Sequence, residues 1–405
     1  MVRPAAGFTL VEFLLATAVT LVALSVAVSL VVPVASAHQS LPEAADLQQR
    51  VRVAVEAIRS DLGAAGSGFS LGWGAAAAPT WPAVLPCRWV APDLSRVAGG
   101  CAGSDSLTIL SMASAAPQAI AGAALDDRSA PIGVAPASAC RLDRSACRLH
   151  AGSLLLLADG TGAFDLFAAT SISSDGAQVT HGQAPLSNRY VPGAMVGEVR
   201  ARTYFLGVES GTLIRQLRRA DSGGASYSVV DHVAALSFQY FGDPAPPAVA
   251  DPGDPGDSTG SGGTGNAGSA ARRTVSYGPL PPPVGSDNPF DVWPAGENCT
   301  FAVEGDRQLS RLAALTPEPF GLARLPPSIF ADGPWCPDAL SPNRYDADLL
   351  RIRLVRITIR LQAQSIAVRG SSPTWFVNPG LAREATRLVP DLEVTIDVAP
   401  RSLQR

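Results

Sequence analysis

Lysine is missing from this 405-residue chain, so all 31 of its Lys+Arg positions are arginine. We read that as compositional bias rather than chemistry. Charge of either sign is scarce, with Asp, Glu, Lys and Arg making up 16% and a net charge of −4, which does not mark a dedicated nucleic-acid binder. There is no C-x-x-C pair, no H-E-x-x-H and no phosphate-binding loop, so the usual zinc and nucleotide signatures are gone. Only four histidines occur, His38, His150, His181 and His232. A serine-hydrolase triad would need one of them brought against a serine and an acid by the fold. Each reads instead as a surface or loop histidine. Gly260 to Gly265 spells G-x-G-x-x-G, but no strand precedes it and no helix follows, so it does not read as a dinucleotide site. Asp251, Asp254 and Asp257 miss the calcium-loop spacing and read as solvated loop acids. No catalytic residue, metal or cofactor is expected, and the chain reads as non-enzymatic.

Glycine and proline, by contrast, are plentiful at 38 and 34, concentrated in the middle of the chain. Residues 243–288 carry the sharpest break, with too little apolar surface to order themselves, and predict a long disordered insertion. The six cysteines fall as local pairs, Cys87 with Cys101, Cys140 with Cys147 and Cys299 with Cys336. Their even count and Gly/Pro/Ser surroundings suggest disulfides in an oxidising compartment, with nearest-neighbour pairing favoured among the fifteen arrangements six cysteines allow. The region of the last two also holds Trp293, Phe301, Phe320, Phe330 and Trp335, enough for a small disulfide-held lobe.

One hydrophobic run dominates. Phe13 to Val32 is uncharged for 20 residues, about 30 Å as a helix, the thickness of a bilayer core. Arg3 is the only charged side chain before Gly7, so the amino-terminal end should stay cytoplasmic and the rest be translocated. Ala35-Ser36-Ala37 offers a secretory cleavage site, but the run exceeds the roughly 7–15 residues of a signal core. Glu12 also sits where a signal would be apolar.

Gly7-Phe8-Thr9-Leu10-Val11-Glu12 resembles the type IV prepilin cleavage and methylation motif. The resemblance implies that a prepilin peptidase cuts between Gly7 and Phe8 and methylates the new amine of Phe8. It also implies that the hydrophobic helix is kept, first as a membrane anchor and then as the core of a filament. Glu12 would pair with the Phe8 amine of a neighbouring subunit and set axial register during assembly. An acid at membrane depth is costly without such a partner. The bland alternative is that Glu12 only favours a helix N-terminus.

Pro33 and Pro42 are expected to interrupt the helix. A second, amphipathic helix follows, with Leu47, Val51, Val55, Ile58 and Leu62 on one stripe and Arg50, Arg52, Glu56 and Arg59 between them. It should stop at Gly63–Gly68. Candidate strands are Ser106–Met112, Ser153–Ala158, Ala163–Ala169, Arg200–Val208, Thr212–Leu217 and His232–Phe241, with Asp159-Gly160 and Ser210-Gly211 as turns. Val55–Gly66 and the hairpin and strand between Thr203 and Asp243 resemble minor pilins of the PilW kind. Leu349–Gln364 alternates strongly but changes phase at Leu354-Val355, predicting a β-bulge there. Arg351, Arg353, Arg356 and Arg360 would then share one face, either solvated or offered to an acidic neighbour subunit. Leu392 to Val398 should form a closing, half-buried strand.

These readings give an α+β fold, a long hydrophobic helix continuing into an amphipathic helix packed on an antiparallel β-sheet head. The expected boundaries are a leader at 1–7, membrane or filament-core helix at 8–34, amphipathic helix at 35–68, and β-rich head at 69–242. The flexible insertion at 243–288 and the rest of the head at 289–405 complete it. The family resemblance implies a minor pilin or pseudopilin of a type IV pilus or type II secretion pseudopilus, at or near the tip. Its partners would be prepilin peptidase, other pilin or pseudopilin subunits, an inner-membrane assembly platform, and membrane lipid before assembly. It would start as a single-pass protein of the bacterial inner membrane with its head in the periplasm. Nucleic acid is not expected, the arginine strand being the only candidate for DNA. The alternative is a secreted or membrane-anchored adhesion or binding protein outside any filament.

Overall fold

A single helix, α1, runs from Leu10 to Gly63, 54 residues or about 80 Å. Pro33 and Pro42 do not break it, contrary to the expectation above. Each proline forfeits one backbone hydrogen bond at about 3 kcal/mol or more. That cost is local, and good helix formers (Ala, Leu, Glu, Gln, Arg) fill the stretch from Ser40 to Leu62. The helix ends as its last turn tightens, with the Ala64 amide donating to the carbonyls of Asp61 and Leu62. Gly66 then adopts φ +70°, where a Cβ would also collide with the Ser402 hydroxyl at 2.8 Å.

The computed structural model describes residues 9–68, 81–86, 106–113, 119–136, 149–159, 164–174, 176–182, 185–186, 188–209, 211–222, 226–249, 277–285, 293–319, 321–337, 344–383 and 388–403, without the side chains of 30–39 and 120. After α1 the described strands are β1 (Val84–Leu85), β2 (Ser106–Met112), β3 (Ala119–Ala121), β4 (Ile132–Pro136), β5 (Leu154–Ala158) and β6 (Phe164–Ile172). Next come β7 (Gln178–His181), β8 (Met195–Val208), β9 (Arg215–Asp221), β10 (Tyr227–Asp231), β11 (Val233–Gly242) and β12 (Phe301–Glu304). The last are β13 (Arg307–Ser310), β14 (Ala323–Leu325), β15 (Trp335–Pro337), β16 (Arg344–Asp346), β17 (Ile352–Leu361) and β18 (Leu392–Val398). All their pairings are antiparallel. A long apolar helix leading a β-rich body is thus the observed α+β architecture.

The long strand β8 organises the first sheet. Its second half pairs with β2 on one edge and β9 on the other. Its first half pairs with β5 and with β3, and these close through β6, β7 and β4 into a ring. The four consecutive leucines of β5 follow from this. Leu155 and Leu157 face the interior of the ring with Phe167, Val179 and Val196. Leu154 and Leu156 face the main core under α1. A strand buried on both faces reads as a continuous apolar run rather than an alternation.

The second sheet has the order β14–β11–β17–β18. The chain enters it from β10 through His232, which takes φ +54°, a conformation rare outside glycine. The bulge expected at Leu354-Val355 falls one position earlier. Phe241 faces Leu354 and Gly242 faces Ile352, leaving Arg353 as the extra residue. Gly242 is needed there, since a Cβ would strike the Arg351 backbone. Strand β18 alternates as expected, with Glu393, Thr395 and Asp397 outward.

The inner half of α1 lies across β10, β17 and β18. Leu47, Val51, Ala54, Ile58 and Leu62 are buried in the main core, while Val55 is only half-buried. That core also holds Cys299, Phe301, Phe330 and Cys336, so the disulfide region is part of the main body rather than a separate lobe. Trp335 is exposed, and Phe320 lies outside the described residues. Within the expected insertion, residues 277–279 are buried, while Leu280 and Val284 are exposed. Tyr277 is buried, and the Pro279 carbonyl accepts from Asn298 at 2.9 Å. Residues 251–276, including the glycine-rich motif and Asp251, Asp254 and Asp257, lie outside the described residues.

Candidate functional site

The candidate site is the leading half of α1 and the joint that fastens the other half to the sheets. Thr9 and Glu12 start the helix with a capping box. The Thr9 amide and hydroxyl each donate to the Glu12 carboxylate at 3.0 Å, and the Glu12 amide donates to Thr9 Oγ1 at 3.3 Å. The acid thus satisfies the Thr9 amide, and the Thr9 hydroxyl oxygen satisfies the Glu12 amide, which the first turn would leave without a partner. Gly7 and Phe8 lie outside the described residues.

From Leu10 to Ser29 the helix carries no charge except Glu12 and is buried against nothing among the described residues. It is the one helix among the described residues long and apolar enough to cross a membrane. Its polar side chains turn back on their own backbone. The hydroxyls of Thr17, Thr20, Ser25 and Ser29 donate to the carbonyls of Leu14, Ala16, Val22 and Val26 at 2.7–2.9 Å. This leaves an almost uniformly apolar cylinder, with Phe13, Leu15, Val19, Leu21 and Val22 all exposed.

The inner half is fastened by charge as well as burial. Arg50 is not on the outer face, as its spacing suggested, but buried. Its Nε meets Asp46 at 2.7 Å, and its terminal nitrogens donate to the carbonyls of Asp231 and Gln362 at 3.1 and 3.3 Å. Eleven residues on, the Asp61 carboxylate is buried between Arg202, Arg219 and the Tyr204 hydroxyl, the last at 2.6 Å. Burial first, and then the hydrogen bond to Asp61, push the Tyr204 phenol well above its usual range. The Ser402 hydroxyl closes the joint on the Ala65 carbonyl. Sequence patterning missed this joint; the one available sign was an acid, Asp61, beside the last apolar residue of the stripe.

The arginines of β17 are not free. Arg351 is fully buried in a 3-10 turn (Ala347–Arg351) and pairs with Asp348 at 2.8 Å, so it does not share the outer face. Arg353 meets Asp243 at 2.6 Å, Arg356 meets Asp397 at 2.7 Å, and Arg360 meets Asp391 at 3.2 Å. Each of the four arginines thus sits beside a carboxylate of this chain. Beside Arg351, the carboxylates of Asp332, Asp346 and Asp348 lie within 4.8 Å of one another. These are oxygen ligands of the type a cation takes. However, Asp346 already accepts from the Gly333 and Asp348 amides, and Arg351 neutralises Asp348. Burial pushes the Asp348 carboxyl up to about 7.

Of the six cysteines, Cys299 and Cys336 form the expected disulfide, their Cα atoms 4.9 Å apart. Cys87, Cys101, Cys140 and Cys147 lie outside the described residues. His181 is a correction: it is buried on β7, with its ring edge-on to Phe167. His150 and Ser153 both meet Glu198, at 3.3 and 2.9 Å. The serine hydroxyl therefore donates to the acid, not to the imidazole, an arrangement that does not activate a nucleophile. No protein-family model, no curated protein and no solved structure matches the chain.

Proposed function

We propose that this chain is a non-enzymatic minor pilin or pseudopilin. A prepilin peptidase would cut after Gly7 and methylate Phe8. The retained helix would anchor the protein in the inner membrane with its head in the periplasm, then join neighbouring subunits in a type IV pilus or type II secretion pseudopilus. The observation that carries this reading is the division of one helix: Leu10–Ser29 packs on nothing among the described residues, while Leu47–Leu62 is buried under the sheets. An all-round apolar helix needs either lipid or other helices around it. A bulky β-rich head on such a stem fits a low-copy position near the tip better than a subunit repeated along a shaft.

The capping box gives Glu12 a partner within its own chain before any neighbour arrives. Cap and charge can be separated, because glutamine also serves at this position of a capping box. Glu12→Gln keeps the cap and loses the charge; Glu12→Ala loses both. If Glu12 seats on a neighbour's amine, both variants insert into the membrane normally, and both are depleted from purified filaments. Wild-type incorporation of Glu12→Gln would reduce the acid to a helix cap.

A further inference from the structure

Where β10 passes into β11, a cleft of about 460 Å³ opens between the β8–β9 hairpin and the loop after β17. One wall is apolar, formed by Val208, Leu213 and Ile214. Arg215, His232 and Arg369 bring the polar chemistry. Gln362 and Asn378 complete the lining, and the Asn378 amide donates to the Gln362 side-chain oxygen at 2.8 Å, which fixes both.

Arg369 is the anomaly. It is 7% exposed, and its Nε is buried with no hydrogen-bond partner. Arg50, Arg202, Arg219, Arg311, Arg351, Arg353 and Arg360 each have a carboxylate beside them. Among the described residues Arg369 has none, and its guanidinium makes no hydrogen bond. A buried cation without a counter-charge is unfavourable. The backbone nevertheless holds it there. The Arg369 carbonyl accepts from Ala382 at 2.9 Å and the Val368 carbonyl from Val389 at 2.9 Å. Gly380 packs so closely on the Arg369 backbone that a Cβ could not be added. Arg215 lines the same cleft with no carboxylate partner, its guanidinium held by the Ala234 carbonyl at 3.3 Å. His232 is held by its φ of +54°, and its Nδ1 is buried without a hydrogen bond, 3.5 Å from the Asp231 carboxylate.

We propose that this cleft binds a small organic carboxylate, its anionic end against Arg369 and Arg215 and its aliphatic part against Val208, Leu213 and Ile214. The volume suits a small ligand, and guanidinium is the group best shaped for carboxylate. The site does not depend on filament assembly. It adjoins the joint of α1, since Gln362 also offers its carbonyl to Arg50.

The test is calorimetric titration of the full chain in detergent micelles with hexanoate, hexanol and inorganic phosphate. Hexanoate should bind saturably, with hexanol and phosphate each weaker by about tenfold or more. Arg369→Gln should weaken hexanoate by about tenfold or more, while Arg307→Gln, on the remote β12–β13 hairpin, leaves it unchanged. Thermal unfolding without ligand gives a second reading. Arg369→Met should raise the midpoint or leave it unchanged, because it removes an uncompensated charge. No saturable hexanoate binding, phosphate binding in preference to hexanoate, wild-type affinity in Arg369→Gln, or a midpoint lowered by Arg369→Met would each overturn the proposal.

Discussion

The two halves of α1 share one backbone and differ in everything that surrounds it. Leu10–Ser29 is apolar on every side and exposed; Leu47–Leu62 is apolar along one stripe and buried there. The first has hydroxyls folded onto its own carbonyls, while the second has Arg50 and Asp61 reaching into the sheets. What differs is whether a half's surroundings come from within the chain. The inner half is stabilised by the chain's own sheets, so its defects should be read in the stability of the head. The outer half finds no such support among the described residues, so its defects should be read in localisation rather than in the stability of the head.

The sharpest way to break this contrast is to delete residues 1–37. The protein should move entirely from the membrane pellet to the soluble fraction, with the thermal midpoint of its head unchanged within about 4 °C. A head that fails to fold would show that the outer half supports it. Next in size, Asp61→Ala should destabilise the head by about 3–5 kcal/mol in urea unfolding, because it removes the buried acid shared by Arg202, Arg219 and Tyr204 and leaves the two arginines only the more exposed Asp221. Ile58→Ala should follow at about 2–5 kcal/mol. Leu21→Ala, an equally apolar truncation in the outer half, should fall within about 0.5 kcal/mol. Equal costs for the last two would erase the distinction.

A smaller effect separates the head from the stem by pH. Burial raises the folded Asp348 carboxyl from 3.8 to about 7. The folded chain therefore holds a proton that the unfolded chain releases. The stability this gives is full below about pH 4 and is lost as pH rises through about 7. Asp348→Asn should flatten that fall in head stability without altering membrane association.

How much of this was legible depended on whether the signal was local. Strand β2 falls where it was expected, from Ser106 to Met112. The phase change in β17 announced its bulge to within a residue, because a buried face must stay in register on both sides of the extra residue. The stripe from Leu47 to Leu62 was equally plain. Signals that depend on distant partners were silent. Arg351 reads as one more outward arginine until Asp348 and the 3-10 turn bury it. Pro33 and Pro42 read as breaks because a local rule cannot weigh the helix on either side. The ring closed by β3 and β5 on β8 joins strands far apart in the chain, and no short pattern encodes it. Arg369 gave no sign at all, since its isolation consists of acids that are elsewhere.

The most direct test of the central claim is the mass of the amino-terminal peptide of the mature protein. A chain whose apolar half is a permanent joint begins at Phe8, carries one methyl group on its amine, and retains every residue of the helix through Ser29. A mature chain beginning at His38 would mean that the apolar half is discarded, and would contradict the account.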